Sequence, residues 1–99
     1  MPTRILITAA IYNDPVARQP LIDAGFELVD SPPNAPFDEE TILHMLQGFD
    51  ACICDSDAYT ERVLAANPQL RLISRWGVGV DSIDLQAATR HGVMVTNTP

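Results

Sequence analysis

The 99-residue sequence contains no lysine, so all six of its basic residues are arginines. That absence excludes a P-loop lysine, a Schiff-base lysine and a lysine-assisted phosphate site. Against the six arginines stand 13 acidic residues, for a formal charge of −7. A surface of that sign repels phosphate backbones and anionic lipid heads, so neither nucleic acid nor a membrane is an expected partner. No apolar run approaches the roughly 18 to 20 residues that span a bilayer, and the N-terminus enters a strand-like run rather than a leader sequence. A soluble cytoplasmic protein is the expectation. Cysteine is scarce as well: Cys52 and Cys54 stand alone, two apart. As strand neighbours they share one face, where a bridge would be badly strained. No third or fourth ligand lies nearby, so two buried reduced thiols are the reading rather than a metal or redox pair.

What is present is ordinary globular usage, 46% hydrophobic and 19% charged, in a length that suits one domain over residues 1–99. Strand and helix signals alternate without exception. A short β-branched run, Arg4 to Thr8, predicts a first strand buried on both faces. Helical spacing from Pro15 to Ala24 stops at Gly25; Pro20 either opens a short helix or kinks a longer one. Phe26 to Asp30 is a second strand, and Ser31 to Pro36, with three prolines, is a loop. Asp38 caps a helix over Glu39 to Leu46 that Gly48 ends. Ala51 to Cys54 forms a third strand, Thr60 caps Glu61 to Ala66, and Asn67-Pro68 stops that helix. Leu70 to Ser74 is a fourth strand, Asp84 caps a helix to Arg90 with Gly92 as its stop, and Val93 to Thr96 is a fifth strand. The order predicts an α/β fold: a flavodoxin-like, doubly wound, parallel five-stranded sheet joined by right-handed crossovers.

In such sheets ligands bind beyond the C-terminal ends of the strands. Ala9-Ala10, Asp55-Ser56-Asp57 and the run Arg75 to Asp81 meet that criterion. The last is the most informative: Ile73-Ser74-Arg75-Trp76-Gly77-Val78-Gly79-Val80-Asp81-Ser82-Ile83-Asp84. Two glycines one residue apart let the backbone turn sharply, so that successive N–H groups can point at one anion, and Arg75 adds a positive charge. A carboxylate would gain charge-assisted hydrogen bonds there, which suits a small 2-hydroxy or 2-keto acid. The dinucleotide fingerprint fails, because Ser82 stands where a third glycine belongs and the next helix begins only after Asp84. Without more context, a glycine pair after a strand is a weak signal and a plain tight turn the simpler reading.

The run Ile73 to Pro99 changes that balance. It closely resembles the block Ile-Ser-Arg-x-Gly-Val-Gly-x-Asp-x-Ile-Asp, then Ala-Ala-Thr-x-x-Gly-Ile-x-Val-x-Asn-Thr-Pro, of the D-isomer-specific 2-hydroxyacid dehydrogenases, especially the phosphoglycerate-dehydrogenase-like branch. The resemblance implies the N-terminal part of a substrate-binding domain whose complete enzyme transfers hydride between NAD(H) and a small 2-hydroxy or 2-keto acid. It implies that the Val78 and Gly79 amides hold the substrate carboxylate, while Arg75 sits near the substrate's far end or braces the loop. Gly77, Asp81 and Asp84 would support that loop as turn and cap residues, and Trp76 would border the pocket or pack between domains. The family's catalytic arginine, glutamate and histidine belong to the cofactor domain or its border, beyond residue 99, so no catalytic residue and no NAD site are assigned and the chain alone is expected to be inactive. His44 and His91 read as surface or capping residues. One departure concerns Asp55, which stands where phosphoglycerate-preferring relatives tend to carry a phosphate-contacting arginine. It would repel a phosphate, which places 3-phosphoglycerate below a smaller or neutral-tailed acid.

Rival readings differ in cheap features. A receiver domain needs an acidic pair after the first strand and a lysine after the fifth; a flavodoxin needs a hydroxyl- and glycine-rich loop where Ala9-Ala10-Ile11-Tyr12 stands. A non-enzymatic module that folds and binds a small acid remains the alternative. Because the final covering helix of a flavodoxin-like sheet is missing, an apolar face would be left bare, and a homodimer or domain-exchanged oligomer is expected.

Overall fold

The computed structural model describes residues 2–9, 12–33 and 35–98. Ala10, Ile11 and Pro99, which entered the sequence arguments above, lie outside the described residues. The elements run β1 (Arg4–Ile7), α1 (Pro15–Asp23), β2 (Glu27–Asp30), α2 (Glu39–Met45), β3 (Ala51–Cys54), α3 (Glu61–Ala65), β4 (Leu72–Arg75), α4 (Leu85–Arg90) and β5 (Met94–Asn97). All strand pairs are parallel, in the order β2-β1-β3-β4-β5. This is the flavodoxin-like sheet that the alternation predicts.

Each helix starts where a side chain can satisfy an otherwise unpartnered N–H. Asp14, Asp38, Thr60 and Asp84 accept from Val16, Thr41, Val63 and Ala87 respectively. Pro20 does not break α1, which runs through it to Asp23. The carbonyl it leaves without a donor belongs to Val16, a residue 80% exposed, where water can serve instead. One boundary moves with consequence. The fourth strand begins at Leu72 rather than Leu70, because Leu70 closes a turn by donating to the Asn67 carbonyl and Arg71 donates to Asp50. Arg75 is therefore the last residue of the strand, in register with Cys54 and Asn97, and not part of the loop after it.

The two faces of the sheet differ. Leu6, Cys52 and Ile73, adjacent in register, pack under α2, α3 and α4 with Ile42, Leu46, Val63 and Leu64, all at most 2% exposed. On the opposite face Ile5, Ala51, Leu72 and Met94 are in register, and α1, which has no buried residue, covers only the β1–β2 side. Next to α1 the sheet forms an apolar groove of about 320 Å³ lined by Ile5, Leu21, Phe26, Ile53, Leu72 and Trp76 among others. Among the described residues no helix covers β4 and β5 there, and Met94 is 67% exposed.

Candidate functional site

The C-terminal rim gathers the loops after β1, β3 and β4, and a buried carboxylate ties them together. Asp57, fully buried, accepts from the Thr8 hydroxyl beyond β1, from the Phe37 amide at 2.7 Å and from the Tyr59 hydroxyl at 3.3 Å. Three donors on a carboxylate without a cation satisfy the rule that buried polar groups be hydrogen-bonded. Burial pushes both the Tyr59 phenol and the Cys52 thiol well up, so each stays neutral at ordinary pH. Tyr59 also reaches the loop after β4: its amide donates to the Ser82 carbonyl and its carbonyl accepts from Asp84 N–H, both at 2.9 Å.

The loop from Trp76 to Gly79 is held by its carbonyls. Trp76 C=O accepts from Arg75 Nη1 at 2.7 Å and Gly79 C=O from Arg75 Nε at 2.6 Å. Between them, Gly77 C=O accepts from the Thr98 amide at 2.9 Å and Val78 C=O from the Asn97 side chain at 3.0 Å. The Gly77 N–H donates to Thr98 Oγ1 at 2.7 Å. In a trans peptide the carbonyl of one residue and the N–H of the next point in opposite directions. Drawing the Gly77 and Val78 carbonyls toward the end of β5 therefore turns the Val78 and Gly79 N–H groups away from it. Among the described residues these two amides have no hydrogen-bond partner, and both residues are exposed. The Val80 N–H also has no partner among the described residues; the Gly79 carbonyl faces Arg75.

Arg75 braces this loop from beneath. Its Nη1 also donates to Asp55 at 2.5 Å, and its side chain is only 14% exposed. The positive charge that the sequence places beside the glycines is thus balanced by Asp55, and the negative charge of Asp55 is balanced in turn. Gly77, at φ 129°, has a backbone that L side chains rarely adopt, and a Cβ there would meet Arg75 Nη1 at 3.3 Å. Gly79 has no such constraint; its Cβ would be 4.0 Å from Nη2. Asp84 caps α4, whereas Asp81 lies exposed and lines, with Ser56, Arg75, Gly79 and Ser82, a hollow of about 200 Å³ beside the loop. Trp76 stacks edge-on against Tyr12 at 5.6 Å, in the groove of the bare face rather than in this hollow.

His44 and His91 lie elsewhere, paired with Glu40 and Glu61. The roles of Asn97, Thr98 and Asp57 are absent from the sequence reading. For Asn97 and Thr98 the available signal is their place directly after a strand that ends beside the glycine loop. For Asp57 there is none beyond its place after β3.

The five-stranded parallel sheet with helices between its strands defines the class, a doubly wound α/β domain. Comparison with known proteins gives the family. The D-isomer specific 2-hydroxyacid dehydrogenase, catalytic domain, matches residues 5–99, and the chain belongs to that family. D-3-phosphoglycerate dehydrogenase of Rattus norvegicus is 37% identical over 97 residues, 97% of this chain and 17% of the relative. Glyoxylate reductase of Thermococcus kodakarensis is 32% identical over 100 residues, 100% of this chain and 29% of the relative. Among solved structures, cofactor (NAD+)-bound 3-phosphoglycerate dehydrogenase of Entamoeba histolytica matches with a TM-score of 0.82 at 26% identity, covering 100% of this chain and 33% of that one. The chain therefore spans a third or less of the length of these relatives. It is part of a phosphoglycerate-dehydrogenase-like family domain.

Proposed function

We propose that this chain is the substrate-binding part of an NAD-dependent D-2-hydroxyacid dehydrogenase, and that the Val78 and Gly79 amides hold the carboxylate of a small 2-hydroxy or 2-keto acid. The observation that carries this reading is the peptide arrangement of the loop: every carbonyl from Trp76 to Gly79 is engaged within the chain, while the amides of the exposed residues Val78 and Gly79 have no partner among the described residues. A carboxylate supplies two acceptor oxygens at the spacing that adjacent amides can meet. Gly77, Arg75, Asp81 and Asp84 serve as support, Arg75 by the hydrogen bonds above rather than by contact with the carboxylate.

The residues present do not fit a dinucleotide. Thr8 and Ala9 follow β1 where a glycine turn would have to cradle pyrophosphate, and Asp55 and Asp81 flank the loop after β4. Hydride transfer, which NAD supplies when bound, is accordingly assigned to a cofactor domain outside this chain, as are the catalytic groups. A chain of this kind binds its acid without turning it over.

The test is a 1H–15N NMR titration of the chain with glycolate and D-lactate at neutral pH. Saturable shifts centred on Val78 and Gly79, with millimolar affinity on the scale of a few kcal/mol for two amide contacts, are expected. Shifts confined to other loops, or none, would overturn the assignment.

A further inference from the structure

Resting on that reading of the Val78 and Gly79 amides, we propose that the Arg75–Asp55 ion pair is a specificity device that restricts the site to 2-hydroxy acids whose tail carries no negative charge. A substrate whose carboxylate sits on these amides would extend its tail into the adjoining hollow of about 200 Å³, lined by Ser56, Arg75, Gly79, Asp81 and Ser82. Ser56 and Ser82 offer hydroxyls to a neutral hydroxylated tail. Among the described residues Arg75 is the one cation lining the hollow, and it is already balanced: Nη1 is shared by Asp55 and the Trp76 carbonyl, and Nε is held by the Gly79 carbonyl. Asp81 lines the same hollow, so with Asp55 paired to Arg75 the charges around it sum to net negative.

A phosphate or second carboxylate entering there would find no counter-charge. Four other arginines are held in pairs elsewhere, Arg4 with Glu27, Arg18 with Asp30, Arg62 with Glu39 and Glu40, and Arg90 with Glu61. Arg71 precedes β4 and so lies at the opposite end of that strand from the hollow. Asp55 thus acts through Arg75, by masking the charge that would otherwise recognise an anionic tail. The consequence is specific: removing the Asp55 charge, without adding any cation, should admit such tails.

The experiment titrates the chain with D-glycerate and D-3-phosphoglycerate at low ionic strength, where such charge effects are least screened, following the Val78 and Gly79 amides by NMR. D-glycerate is expected to bind at least tenfold more tightly. In Asp55→Asn, which keeps the side chain's size and its acceptor oxygen, the affinity of D-3-phosphoglycerate relative to D-glycerate should rise at least tenfold. Arg75→Gln in the same background should abolish that gain. Asp81→Asn, at an exposed residue, gives an independent arm should Asp55→Asn fail to fold, and should raise the same ratio severalfold. Equal binding of both acids to the unmodified chain, or a ratio unmoved by both asparagine variants, overturns the proposal while leaving the carboxylate assignment standing. Absence of shifts at Val78 and Gly79 with either acid overturns both.

Discussion

At the scale of single residues, the site depends on which way a few peptide planes face. Gly77 is the residue whose type the geometry dictates, since its φ of 129° and its approach to the Arg75 guanidinium both tell against a side chain. Strain of this kind costs about 1–3 kcal/mol. Gly77→Ala should therefore lower the unfolding free energy by that amount, read as a lower urea midpoint at an unchanged slope, while Gly79→Ala should cost under about 1 kcal/mol. Equal effects of the two would show that the loop is not held as described. The glycine pair is visible in the sequence, but its asymmetry is not, because it arises from Arg75 folding back beneath the loop. Nor does the sequence show that Asp55 and Arg75 neutralise each other. They are twenty positions apart, and only the register of β3 against β4 brings them together. Asp57 is hidden for the same reason: its partners come from three separate loops.

At the scale of elements, the reading from sequence is accurate where the physics is local. All nine elements and the caps Asp38, Thr60 and Asp84 are visible as side-chain types at helix starts, and the end of α4 at Arg90 agrees with the structure. The third strand matches at both ends, as do the starts of α1, α2 and α3; several other boundaries shift by a residue or two, most at Leu70, because a strand's limits are set by its neighbours' hydrogen bonds rather than by its own apolar run. Contacts between elements are likewise nonlocal. Glu39 accepts from Thr60 at 2.5 Å and Arg62 at 3.1 Å, and Arg62 also meets Glu40 at 2.7 Å, so that α2 and α3 are joined by charge. The Thr60 hydroxyl and then Arg62 hold Glu39 below its ordinary value, and Arg62 and then His44 do so for Glu40. A carboxyl whose value is lowered in the folded state adds stability above its unfolded value and loses it as pH falls through the folded one. The share that Glu39 and Glu40 contribute should be full above the ordinary glutamate value and be lost as pH falls below it, an acid limb in the unfolding midpoint. Arg62→Gln should shallow that acid limb; a limb of unchanged steepness would show that this cluster does not contribute.

At the scale of the whole molecule, the uneven cover of the two sheet faces matters most. α1 shields only one flank of its face; the groove beside it is lined by Leu72, and Met94, in register with Leu72, is exposed. We propose that copies of the chain associate through this face. Sedimentation velocity should show a dimer fraction that rises with concentration, and Met94→Glu should return the chain to monomer while changing the monomer's unfolding free energy by less than about 0.5 kcal/mol. A monomer at millimolar concentration in the unmodified chain would exclude this. Among the described residues no helix is long and apolar enough to cross a membrane, so the bare face is not explained by a membrane-spanning helix.

The strand order carries one more implication, for how the chain reaches its native state. β1 is made first but sits between β2 and β3, and its link to β3 is closed only across some forty residues of intervening chain, as with Ile5 and Ala51. The entropy of closing that loop precedes any reward from the contact, and parallel pairings of this span slow the search.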